Sequence, residues 1–376
     1  MRDAAPVRVA VVGVGRMGRS HARELSLGHV ARATLSAVCD TSSAAIAAFP
    51  GVPTFSHPDE LFGSGLLDAV LIATPHYSHT PLAVAALSRG LHVLCEKPLA
   101  VHKGDCLAML AAYDTRPRPE QVFAVMLNLR VEPRFRALRR MVSRGELGIL
   151  RRINWITTDW FRTEAYYRSG GWRATWRGEG GGVLLNQCPH ILDLWQWLFG
   201  MPARVHAFCG FGRFHDIEVE DQVTAYLEYE SGVTGVFVAS TGEAPGTSRL
   251  EVVGDLGRAV LEGDRLTLTQ NASSAMDWLR HSPERGAMPA TETRDDCFPR
   301  AENPRAALIG NFVSAILEGD ELIAPASDGL ASVELANAMI LSTLQRQTID
   351  LPLDPALYAR ELARLVDDSR VTRREG

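Results

Sequence analysis

The sequence predicts an α/β protein: an N-terminal doubly wound Rossmann domain, then an α+β domain on an open, mostly antiparallel sheet. Three observations carry this. A valine-rich run, Val7 to Val12, leads straight into Gly13-Val14-Gly15-Arg16-Met17-Gly18 and then a helical pattern. Strand and helix patterns alternate from there to about residue 125. Beyond that point strand patterns succeed one another with turns between them, which indicates antiparallel pairing. A chain of 376 residues exceeds one ordinary core. The change of pattern divides it into a dinucleotide-binding domain, 1–125, and a substrate and oligomerisation domain, 126–376, whose last helices are free to pack back on the first domain.

The elements follow from local pattern. Val7–Val12 is apolar throughout except for Arg8, as in a strand buried on both faces. Met17–Leu27 reads as a helix closed by Gly28. Thr34–Cys39, Asp68–Thr74, Leu91–Glu96 and Gln121–Leu127 read as further strands, with helices at Pro81–Arg89 and Lys103–Tyr113. In the second part an amphipathic helix, Pro133–Arg144, precedes strand patterns at Ile149–Thr158, Ala203–Phe211, Gln222–Tyr229, Val233–Ala239, Ser248–Val253 and Arg258–Leu261. Ser231-Gly232 joins two alternating runs as a hairpin. Gln270–Pro299 is polar and without period, and is expected to be a long loop. Helices are expected at Pro304–Glu318, Gly329–Gln347 and Pro355–Asp367.

Bulk properties exclude several classes. The net charge of −5 gives no electrostatic case for nucleic acid, and the arginines of 134–144 alternate with apolar residues as on a solvated helix face. Six scattered cysteines show no metal-type spacing, so no metal is expected and a reducing compartment is. No apolar run is long enough to span a bilayer and no leader pattern opens the chain, so the expected setting is the cytoplasm, with no membrane partner.

The glycine loop sits between a strand and a helix, the context a dinucleotide fingerprint requires. Gly13 permits the tight turn, Gly15 lets the backbone approach a pyrophosphate, and Gly18 permits close helix packing. Arg16 and Met17 open the helix whose free N–H groups would face the phosphates. Asp40 lies 22 residues beyond Gly18 at the end of the second strand, where an acidic residue bonds ribose hydroxyls. A helix N-cap is the other reading of Asp40. No Lys or Arg follows it closely, so NAD is expected over NADP. Two more strand ends carry polar clusters, Thr74-Pro75-His76-Tyr77-Ser78-His79 and Cys95-Glu96-Lys97-Pro98. In the second part, the block from Gly180 to Gly200 carries Asn186, His190 and Asp193 on an otherwise apolar pattern, and packing alone does not call for those groups.

Taken together these segments resemble the Gfo/Idh/MocA family, that of glucose–fructose oxidoreductase and inositol dehydrogenase. The resemblance is nearly full length. It rests on Gly13–Gly18, Ala73–His79, Glu96-Lys97-Pro98, Gly145-Glu146-Leu147-Gly148, Trp172-Arg173, the Gly180–Gly200 block, and Asp328-Gly329 with Glu334 and Asn337-Ala338. It implies oxidation or reduction of a secondary alcohol on a sugar or cyclitol, and an open sheet often used for homo-oligomerisation, here a dimer or tetramer. Many members carry Asp four residues before the catalytic His. This chain has Asn186 there.

Alcohol oxidation removes a hydride from carbon and a proton from oxygen. Imidazole suits the proton near neutral pH, so His190 is the expected general base. Lys97, at a strand end, is expected to hold its ammonium against the oxygen as it becomes alkoxide-like. Asn186 is expected to bond a hydroxyl or to steer His190, and on a continuous helix its spacing would put it on the same face. Pro189 demands a kink or a helix start between them. Thr74, Pro75, His76, His79, Glu96, Lys97 and Arg173 join the glycine loop and Asp40 as expected cofactor residues. Asn128, Tyr166, Trp172, Arg173, Asn186 and Asp193 are the expected substrate residues, with Asp193 equally readable as a structural helix residue. An aromatic concentration at Trp155, Trp160, Tyr166, Tyr167, Trp172 and Trp176, with Arg168 and Arg173, suits the apolar faces and polar rims of sugars, or else a core. The function expected is an NAD-dependent dehydrogenase that turns a ring hydroxyl of a sugar, glycoside or cyclitol into a ketone. A keto-sugar reductase and a non-catalytic NAD or sugar sensor are the alternatives.

Overall fold

A computed structural model describes residues 5–369. They form two compact units. The first contains residues 5–131, Arg177–Gly180 and Glu302–Glu334; the second contains Glu132–Trp176, Gly181–Ala301 and residues 335–369.

The first unit is built on six parallel strands: β1 (Val7–Val12), β2 (Ala33–Cys39), β3 (Thr54–Phe55), β4 (Ala69–Ile72), β5 (His92–Cys95) and β6 (Phe123–Val125). Their order is β3-β2-β1-β4-β5-β6. All four residues of β4 and of β5 are buried, as a parallel sheet covered on both faces requires. The order reverses between β1 and β4, and a sheet of this kind binds its ligands at the carboxyl ends of the strands beside that point. Two buried ion pairs tie later chain into this unit. Arg130, 1% exposed, donates to Asp328 at 2.6 Å, and Lys103 donates to Glu334 at 2.8 Å. The Asp328 and Glu334 of the family-like C-terminal motif are thus structural partners of two buried cations.

The second unit holds a nine-stranded sheet: β7 (Leu150–Thr157), β8 (Arg204–Phe211), β9 (Glu220–Glu228), β10 (Thr234–Ser240), β11 (Ser248–Gly254), β12 (Gly257–Glu262), β13 (Arg265–Asn271), β14 (Thr291–Cys297) and β15 (Ile349–Asp350). The order is β14-β13-β12-β11-β7-β10-β9-β8-β15, antiparallel throughout except for β7 with β10. The hairpin expected at Ser231-Gly232 joins β9 to β10, with Gly232 at φ +83°.

One expectation is corrected. Gln270–Pro299 is not a loop: it contains the end of β13, a helix at Ala275–His281 and the edge strand β14. All seven residues of β14 are exposed, so no apolar alternation marks the strand in sequence and main-chain pairing with β13 makes it. In the Gly180–Gly200 block, of the kink or helix start that Pro189 demands, the structure has the helix start: Val183–Asn186 forms one short helix and Pro189–Phe199 a second, with Pro189 as its first residue. Among the described residues no helix is long and apolar enough to cross a membrane.

Candidate active site

In the first unit, the glycine loop, Asp40, the Thr74–His79 segment and Glu96-Lys97 all stand at the carboxyl ends of β1, β2, β4 and β5. Gly13 has φ +83°, and a Cβ there would lie 2.8 Å from the Ala73 carbonyl. A Cβ on Gly18 would lie 1.7 Å from the Gly13 oxygen. Both positions therefore exclude any side chain. Gly15 faces open space, and it begins the helix Arg16–Ser26 with no side-chain cap and no acid in the first turn. A helix start left in this state fits an anionic ligand.

Asp40 accepts the Val14 N–H at 2.8 Å through Oδ2 and the Ser42 N–H at 2.9 Å through Oδ1. The N-cap of the short helix Ser43–Ile46 is Ser42, not Asp40. Asp40 therefore braces the glycine loop while partly exposed at the end of β2. Beside the loop, the Thr74 hydroxyl is buried with no hydrogen-bond partner. An uncapped helix start, a carboxylate at the second strand end and an orphaned hydroxyl fit a dinucleotide.

The next loops are fixed by imidazoles. His76 is buried with Nδ1 3.1 Å from the Glu179 carbonyl. His79 is fully buried, its ring nitrogens 2.9 Å from the Pro98 and Thr74 carbonyls. What His79 offers the site is the joint placing of these two loops. Glu96 is 6% exposed and takes Nε2 of His21 at 2.6 Å and the Lys97 main-chain N–H at 3.0 Å. Burial alone would raise the Glu96 carboxyl, but His21 and Lys97 outweigh it and hold the group at about 2. Lys97 itself is half-buried, and Asn128 begins a single helical turn just after β6.

In the second unit, Asn186 and His190 are half-buried, whereas Val183–Leu185, Gln187, Cys188 and Pro189 are buried. Glu220 sets the start of this segment, accepting the Gly182 and Leu184 N–H groups at 2.8 and 3.0 Å through one oxygen. A Cβ on Gly182 would fall 2.0 Å from the Glu220 carbonyl oxygen, which explains that glycine. Asp193 is 1% exposed and accepts from Gln196 at 3.1 Å.

Tyr166, Trp172 and Arg173 come together. Arg173 donates to the Tyr166 hydroxyl at 3.0 Å and stacks on both rings, 5.0 and 4.5 Å from their centroids. Gln187 donates to the same hydroxyl at 3.3 Å, which ties this aromatic group to the residue beside Asn186. The other aromatics divide. Trp155 stacks with Trp195 in the core, and Trp176 packs on Phe211. Tyr167 is buried against His215 and bonded to Thr241.

Comparison with known proteins decides the family. Residues 7–123 match the profile described as the oxidoreductase family with an NAD-binding Rossmann fold, and residues 135–260 match the GFO/IDH/MocA C-terminal domain. The chain belongs to the GFO/IDH/MocA family. It is therefore an NAD-binding oxidoreductase. Inositol 2-dehydrogenase of Rhizobium meliloti (strain 1021) is 27% identical over 358 residues, 92% of this chain and 99% of the relative. Inositol 2-dehydrogenase of Leifsonia xyli subsp. xyli is 32% identical over 206 residues. That alignment spans 54% of this chain and little more than half of the relative, 56%. The structure of the WlbA dehydrogenase from Bordetella pertussis in complex with NADH and UDP-GlcNAcA superposes with a TM-score of 0.77 at 25% identity, covering 93% of this chain and 100% of that one.

Within this GFO/IDH/MocA chain, sequence reasoning missed His21, Gln187 and Glu220. His21 had a signal: it is an imidazole on a helix face otherwise made of Gly18, Ala22 and Leu25. Gln187 and Glu220 gave none, because their partners lie 21 to 38 residues away in the chain.

Proposed function

We propose that the protein is an NAD-dependent dehydrogenase that oxidises a secondary ring hydroxyl of a cyclitol or sugar to a ketone. The observation that carries the reading is Lys97 at the carboxyl end of β5, on the sheet whose glycine loop fits a dinucleotide. The bound nicotinamide accepts the hydride. Gly13, Gly15, Arg16, Met17, Asp40, Thr74, Pro75 and His76 hold the cofactor, with Asp40 on the ribose. His190 takes the hydroxyl proton, and Lys97 stabilises the oxygen that loses it. Asn186, Tyr166, Trp172 and Arg173 orient the ring. The names of the two inositol 2-dehydrogenase relatives support a cyclitol. The same groups run the reaction backward on a ketone, so a keto-sugar reductase uses an identical site.

A single experiment tests substrate and cofactor together: NADH or NADPH formation over a panel of inositols, free sugars and glycosides. NAD is expected to exceed NADP in kcat/KM by at least about tenfold, or about 1.4 kcal/mol, because a 2′-phosphate meets the Asp40 carboxylate and no Lys or Arg stands among residues 41–45 to offset it. Equal efficiencies would overturn the role of Asp40. Tight NAD binding with no turnover on any member would make the protein a non-catalytic binder.

A second copy of the chain is the proposed partner. Phe208 is 69% exposed on β8 and Tyr226 is 43% exposed on the adjoining β9, large apolar side chains that a monomer seldom leaves in water together. Sedimentation at the mass of a dimer or tetramer, with Phe208→Glu weakening the assembly, is expected; a wild-type monomer at micromolar concentration would defeat it. The six cysteines form no disulfide and four of them are buried, which supports a reducing setting such as the cytoplasm.

A further inference from the structure

We propose that His21 is a positioning residue for Lys97, acting through the Glu96 carboxylate. The proposal rests on the role given to Lys97 above. His21 lies on the helix that follows the glycine loop, one turn beyond Gly18, and is 0% exposed. Its Nε2 stands 2.6 Å from Glu96 Oε1, on a residue 75 positions further along the chain. The second oxygen of the same carboxylate accepts the Lys97 main-chain N–H at 3.0 Å. A line of side-chain bonds thus runs from the dinucleotide helix to the backbone of Lys97.

The other ring nitrogen settles what His21 contributes. Nδ1 is buried with no hydrogen-bond partner. A proton there would be a buried donor without an acceptor, so the bond that His21 makes runs from Nε2 to the carboxylate. His21 then aims the carboxylate, whose other oxygen holds the lysine next in sequence. The groups facing that charge include His21 from the helix, Lys97, and His79 and Cys95 on the flanking elements. Burial lowers the pKa of His79 and raises that of Cys95. Lys97 is the lysine among them.

This matters because a lysine side chain has four rotatable bonds. Stabilising an alkoxide requires the ammonium to be in place before the charge develops. A main-chain N–H tied to Glu96, with an anion beside the side chain, restricts where the ammonium rests and keeps it protonated. A purely structural role for His21 would be met by any side chain that fills the space.

The full-length protein with NADH and substrate provides the test. His21→Leu removes the donor at similar volume, and His21→Gln restores an N–H near the place of Nε2. His21→Leu is expected to lower kcat by about tenfold to a hundredfold, the scale of a catalytic group displaced by about an ångström. The KM for NAD is expected to move by less than about threefold, and His21→Gln to recover most of the loss. Glu96→Gln is expected to shift the alkaline limb of the pH–rate profile to lower pH, because the ammonium loses its anionic neighbour. A His21→Leu protein that binds NADH normally and keeps the wild-type kcat and pH profile would overturn the proposal. Should that variant not fold, an unchanged alkaline limb in Glu96→Gln overturns it instead. Lys97→Ala separates the two levels. Near-normal turnover in that variant removes the role of Lys97 itself, whereas an inactive Lys97→Ala beside silent His21→Leu and Glu96→Gln defeats only the positioning.

Discussion

Replacing Lys97 with alanine is expected to reduce turnover by about a hundredfold to a thousandfold, the scale seen when one preorganised donor to a developing oxyanion is removed. NAD affinity is expected to stay within about tenfold of wild type. The reasoning is local. Lys97 lies two residues beyond the end of β5, and its main-chain N–H is held by Glu96, which His21 holds in turn. Removing the side chain beyond Cβ leaves those main-chain bonds in place, so the glycine loop and Asp40 keep their geometry. The loss should therefore fall on kcat, where an interaction made chiefly in the transition state is read. Stopped-flow turnover with fluorescence titration of NADH separates the two quantities. Collapsed NADH affinity with turnover close to wild type would make Lys97 a cofactor ligand and nothing more.

His190→Ala is expected to lose about a hundredfold to ten-thousandfold in rate, the usual range for a positioned general base. Wild-type oxidation should rise with pH through the interval in which imidazole titrates, around pH 6 to 7, because only the neutral ring accepts a proton. Asn186 cannot titrate, so Asn186→Ala should weaken or misplace substrate without removing that limb. Asn186→Asp puts a carboxylate three residues before Pro189, which starts the helix that carries His190. The added anion favours imidazolium, so the limb should move to higher pH. A fully active His190→Ala together with an unshifted Asp variant would assign the proton to another group. Tyr166, whose oxygen accepts from both Arg173 and Gln187, would then be the next candidate.

The fold was legible wherever burial writes a period into the chain. Val9–Val12 is buried without a break and reads as a covered parallel strand. Phe135, Leu138 and Met141 recur on one side of their helix and are its buried face. Strand β14 was not legible, because Thr291–Cys297 buries nothing and its pairing is carried by backbone groups that every residue has. Much of the candidate site was readable from strand ends: Asp40, Thr74 and Lys97 each sit just beyond a strand, where sequence alone puts them. What escaped were bonds over long separations. The Glu96 partner of His21 is 75 residues away, and the Glu220 that caps the Asn186 segment is 34 residues beyond Asn186, too far for any local pattern.

Asp40 does two things with one carboxylate. It would meet the adenosine ribose, and it holds the Val14 N–H at the apex of the glycine loop. An apolar residue at position 40 would remove the negative charge and also strip the loop of that acceptor, whereas Asn would lose the charge and keep an oxygen for Val14. Admitting a 2′-phosphate without loosening the loop therefore takes a neutral side chain that still accepts, together with a cation for the phosphate.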